Sequence, residues 1–144
     1  MPQVKAAAVA LLIAVGLVAC GSSGGASVSQ SQYKTKTDAA CKSLQKDLNV
    51  VVAKMSLKTP AGIKAAATAY ADILTRVAND MRKIGYPAGK KDLANQFYAA
   101  LDQAAAKLKS DPNVLKSSAV PAEFTKISSL AKQLGLTNCG GAGG

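Results

Sequence analysis

Chemistry in this chain has few places to happen. Its strongest nucleophiles are three cysteines, at 20, 41 and 139, and it contains no histidine. Without an imidazole, serine or cysteine triads lose their usual base, and zinc or iron sites lose their commonest nitrogen ligand. The carboxylates Asp47, Asp72, Asp80, Asp92 and Asp102 fall singly on polar faces. None belongs to the inward-facing Glu and Glu-x-x-His set of di-metal bundles. The glycine-rich stretches 21–25 and 140–144 do not follow a strand and open a helix, so neither is a phosphate cradle. These absences point away from an enzyme: no catalytic residue, metal ligand or resident cofactor is expected.

The three cysteines sit in different settings. Leu17-Val18-Ala19-Cys20-Gly21 closes an uncharged run that begins at Ala6 and is preceded by Lys5. The run is shorter than the roughly 20 residues that span a bilayer, and it has the length of a signal-peptide core. The five residues resemble the lipobox of bacterial lipoproteins, with cysteine where that motif places it. The resemblance implies diacylglycerol on Cys20, cleavage after Ala19 (residues 1–19 being the signal peptide), and an extracytoplasmic domain held at the cell membrane. An acylated amino group, such as a palmitoyl amide, would complete a stable anchor of two or three chains. An ordinary secretory signal is the alternative, because Val18-Ala19-Cys20 also ends in small residues.

Beyond the signal, 125 residues remain, enough for one domain. Alanine dominates the apolar content, and β-branched residues are not clustered as strands require. With Cys20 consumed by lipid in a compartment that permits disulfides, Cys41 and Cys139 are expected to pair. Residues 20–37 are Gly/Ser-rich and then Gln/Ser/Thr-rich, without apolar periodicity, and read as a lipidated cysteine and flexible tether.

Apolar spacings of three and four predict the helices of a domain spanning 38–139. The first, over 38–58 with Thr37 as its cap, carries Cys41, Leu44, Leu48, Val51, Val52 and Met55. The second starts after Thr59-Pro60 and stops at Gly85, with Ile63, Tyr70, Leu74, Val77 and Met81 on its stripe. Leu93, Phe97, Leu101, Ala104 and Leu108 mark the third, and a short helical turn is possible within 113–120. The fourth starts near Pro121, carries Phe124, Ile127 and Leu130, and closes at Gly135, with Leu136 folding back. The Gly-rich tail 140–144 is expected to be disordered. Short connections favour an all-α, up-down-up-down four-helix bundle. That topology puts Cys41 and Cys139 at one pole, in agreement with the disulfide.

Of 18 basic residues only Lys5 precedes Cys20, leaving 17 against 8 acidic and a net charge of +9. Many cations, such as Lys54, Arg82, Lys83, Lys107, Lys109 and Lys132, fall in last turns, while Asp38, Asp92 and Glu123 fall in first turns, which complements helix dipoles. The surplus suits contact with anionic lipid or cell-wall polymer. Nucleic acid is a poor partner, because no basic-aromatic interleaving occurs. For haem, Met55 and Met81 fall at opposite poles, and Tyr70 or Tyr98 would have to ligate alone. The alanines of the second and third helices allow either close helix packing or a slot for a lipid-like ligand.

The layout of lipobox, Gly/Ser tether, helical domain and closing Leu134-Gly135-Leu136-Thr137-Asn138-Cys139-Gly140 is similar to that of small secreted lipoproteins of actinobacteria. The resemblance implies location and fold more than activity. The expected function is a membrane-anchored, non-enzymatic binding or interaction module of the cell envelope with an unknown protein partner. The alternative is a carrier of a small apolar ligand or haem.

Overall fold

A computed structural model describes residues 25–139; the lipobox with Cys20 and the tail 140–144 lie outside the described residues. The chain is an all-α four-helix bundle. Its helices are α1 (Gln30–Lys54), α2 (Pro60–Ile84), α3 (Lys91–Ser110) and α4 (Ala122–Gln133), with a 3-10 turn at Pro112–Lys116. Two-residue strands β1 (Ser27–Val28) and β2 (Tyr86–Pro87) pair in parallel. None of the described helices is long and apolar enough to cross a membrane.

Local chemistry sets most boundaries as the sequence suggests. The Thr59 hydroxyl accepts from the Gly62 N–H (3.1 Å) and Pro60 occupies the first turn of α2, which ends at Gly85 with φ +99°. Helix α4 ends in a Schellman turn: Gly135 adopts φ +74°, its N–H bonds to the Lys132 carbonyl, and the Leu136 N–H bonds to the Ala131 carbonyl. Leu136 is thereby buried, as its spacing predicts.

The first helix is the exception. It starts at Gln30, not at 38, and its cap is Ser29, whose hydroxyl accepts from the Gln32 N–H. Thr37 is mid-helix and fully buried. The expected tether is therefore structured over residues 25–37. A polar face conceals a sparse stripe there, Tyr33, Thr37 and Cys41 at intervals of four, and all three are buried.

Alanine sets the packing of the centre. Ala67, Ala71 and Ala78 of α2 and Ala94, Ala100 and Ala104 of α3 are essentially inaccessible, and α2 and α3 form the most extensive helix pair. Small side chains bring the two backbones together, so of the two arrangements the alanines allow, close packing prevails over a ligand slot between α2 and α3. Around this pair, α1 lies on α2 and α4 lies on α3. The seam between α1 and α4 is not among the extensive pairings, and the bundle is least closed there.

Candidate functional site: an apolar cleft beside a disulfide-held strap

The open seam is the candidate site. Leu48 of α1, Tyr70 and Leu74 of α2, Leu108 of α3, Leu115 of the 3-10 turn and Phe124 of α4 line a cavity of about 200 Å³. An adjoining lobe of about 180 Å³ shares Leu48, Leu74 and Phe124 and adds Leu44, Leu101, Val120 and Ile127. Helix α4 is only 12 residues long, against 25 for α1, so it does not cover the facing half of α1. Leu44, Leu48, Val51 and Met55 are therefore half-buried. Val120, 69% exposed, stands at the edge of the second lobe, and Val50 and Val52 are exposed further along α1.

One end of the cleft is built by the segment after α4. Residues 136–139 run back along α1, where Cys139 forms a disulfide with Cys41 at a Cα separation of 5.1 Å. Asn138 and Cys139 both line the second lobe. The strap is also held by Asp38. Its Oδ1 accepts the N–H groups of Thr137 (3.0 Å) and Asn138 (2.9 Å), and its Oδ2 accepts the Thr137 hydroxyl (2.9 Å) and the Lys34 ammonium (3.3 Å). Burial alone would push the Asp38 carboxyl up. The Asn138 and Thr137 donors, with Lys34, outweigh it and hold the group below its ordinary value. The sequence places Asp38 in a first turn; because α1 starts eight residues earlier, it instead accepts the hydrogen-bond donors of the strap. A lone Asp and a Thr-Asn-Cys 99 residues further on give no hint of this in the sequence.

The other candidate groups separate. Met81 is fully buried and Met55 half-buried on a different helix end, so they share no site. The Tyr98 hydroxyl is occupied, donating to the Gly85 carbonyl (2.5 Å) and lying 3.1 Å from the Tyr33 hydroxyl, and burial pushes its pKa well up. Tyr70 does reach the cleft, and desolvation raises its pKa. Four of the five carboxylates are committed to ion pairs, Asp47 with Arg76, Asp72 with Lys109, Asp80 with Lys83 and Asp102 with Arg82, while Asp92 is exposed in the first turn of α3. Among the described residues no cluster of three or more His, Cys, Asp or Glu side chains could hold a metal ion.

A second recess, more polar than the cleft and about 230 Å³, lies where the described chain begins. Gly25, Arg82, Tyr86, Lys91, Asn95 and Tyr98 line it, and the Lys91 ammonium sits 5.5 Å from the centre of the Tyr86 ring. Comparison with protein-family models, with curated proteins and with solved structures found no match.

Proposed function

We propose that the chain is a lipid-anchored protein of the extracytoplasmic membrane face, and that its helical domain is a non-enzymatic interaction module which receives an apolar element of a protein partner in the α1–α4 cleft. The cleft itself carries this reading. It is apolar and half open, with Val120 exposed beside it. Its adjoining lobes, about 200 and 180 Å³, together reach only the lower end of the roughly 300–1,000 Å³ of sites that enclose a drug-sized ligand. Such a groove fits a few side chains of a docking helix, spaced at three and four residues.

A second reading, a carrier of a small apolar molecule, is favoured by the shared wall of the two lobes, which would accept a narrow alkyl chain better than a broad planar ring. Native mass spectrometry of the chain purified from its own host separates the two. A clean protein mass, with a partner whose capture is abolished by Phe124→Glu, supports the interaction module; a stoichiometric small molecule supports the carrier. The anchor has its own test. A Cys20→Ala chain is expected to leave the membrane fraction, and retention there would refute lipid attachment.

A further inference from the structure

The corrected start of the domain changes how far it can stand from a membrane. Gly25 lies against the end of α2, where a Cβ would collide with the Gly85 Cα and the Arg82 carbonyl oxygen. Gly85 is equally confined, because a Cβ there would collide with the Ala26 carbonyl oxygen. Two hydrogen bonds fix this junction, Tyr86 N–H to the Ala26 carbonyl (3.3 Å) and Ala88 N–H to the Val28 carbonyl (3.0 Å). Only five residue steps then separate Cys20 from the folded domain. At about 3.3–3.6 Å per step, they span at most roughly 18 Å when fully extended. A leash of that length fixes which end of the bundle faces the surface carrying the lipid.

That end is basic. Lys34 and Lys36 lie in the first two turns of α1, Lys83 in the last turn of α2, Lys90 and Lys91 at the start of α3, and Lys132 in the last turn of α4. Lys34 pairs with Asp38 and Lys83 with Asp80; Lys36, Lys90, Lys91 and Lys132 join no ion pair among the described residues. The opposite end carries Lys54, Lys58, Lys107, Lys109 and Lys116, so charge alone would not orient the molecule. The leash breaks the tie.

We propose that the end formed by the α2–α3 connection, the first turns of α1 and the last turn of α4 rests on an anionic bilayer surface, with Lys36, Lys90, Lys91 and Lys132 as its contacts. The cleft, lined from the far halves of α1 and α3, then lies in the part of the domain away from the bilayer. This orientation rests on acylation of Cys20 and specifies the surface that acylation brings the domain against.

The sequence contains no tryptophan, so a single introduced indole is a clean reporter. Full-length chain acylated in its host, carrying either Ala88→Trp or Val52→Trp at an exposed position, is reconstituted into phosphatidylglycerol-containing vesicles with a headgroup-attached quencher. The expected result is strong quenching of Ala88→Trp, which weakens at high salt or in phosphatidylcholine vesicles, and little quenching of Val52→Trp. Charge reversal of Lys36, Lys90, Lys91 and Lys132 together should weaken the docked state roughly a hundredfold or more, taking a several-fold effect for each cation. The intact mass of the Cys20 peptide is read in the same samples. An unacylated Cys20 overturns the anchor and the orientation together. An acylated Cys20 with equal quenching of the two reporters, or with quenching indifferent to salt and lipid charge, overturns the orientation alone.

Discussion

Replacing Asp38 with alanine should loosen the strap that ends the apolar cleft. The carboxylate accepts two backbone N–H groups, one hydroxyl and one ammonium. Hydrogen bonds to a charged group are each worth about 1.5–3 kcal/mol. They are not additive here, because water reaches Thr137 and Asn138 once the strap relaxes and the disulfide still holds Cys139 beside Cys41. A net loss of about 2–3 kcal/mol is a reasonable expectation for the oxidised protein. For a domain of this size that lowers Tm by roughly 8–20 °C. Asp38 and the disulfide hold one segment, so their effects should be coupled. In a double-mutant cycle of Asp38→Ala with Cys41→Ser/Cys139→Ser, the interaction energy should exceed about 0.5 kcal/mol, the level at which distant sites simply add. Urea unfolding of the four proteins measures it. Additive effects, or an Asp38→Ala change in Tm below 2 °C, would refute the view that this carboxylate clamps the strap. The pH dependence follows with a definite sign. The folded-state pKa lies below the unfolded value of about 3.9. The stability supplied by Asp38 is therefore present above that value and lost as pH falls through the folded pKa. Below pH 4 wild type should lose stability more steeply than Asp38→Asn.

Three other outcomes are expected. Reducing Cys41–Cys139, which closes 98 residues of sequence, should cost roughly 4–5 kcal/mol in the chain-entropy account, read as a drop in urea midpoint with reductant. Tyr98→Phe removes the hydroxyl that bonds the Gly85 carbonyl and should cost about 1–3 kcal/mol, because that buried acceptor loses its donor; thermal unfolding measures it. Phe124→Ala should enlarge the cleft and raise the fluorescence of an added apolar dye while leaving helical circular dichroism unchanged, since Phe124 is only half-buried.

Helices α2 and α3 were legible because their apolar periodicity is dense and their ends carry strong signals: Thr59-Pro60, Gly85 and Asp111-Pro112. The pairing of Cys41 with Cys139 was legible for a similar reason, since antiparallel topology and cysteine count agreed. The start of α1 was not. Between 30 and 37 only Tyr33 is apolar, and glutamine, serine, threonine and lysine otherwise make the segment look like solvated spacer. It is ordered by tertiary partners that lie far away in sequence: Tyr33 meets Tyr98, and the Gln30 amide donates to the Leu134 carbonyl (2.8 Å). The cleft was hidden for the opposite reason. Leu48 and Phe124 read as ordinary core positions, and the shortness of α4 relative to α1 leaves them partly uncovered.

The far half of α1 touches the rest of the molecule along one side, through α2, while its opposite side borders the cleft. Low local packing makes such a segment the first to fray, so its amides should exchange with deuterium well before those of α3. If that early exchange is observed, a guest entering the groove would meet a door that swings on the disulfide. Occupancy would slow that swing, and the protection of residues 48–54 would report binding without any label on the guest.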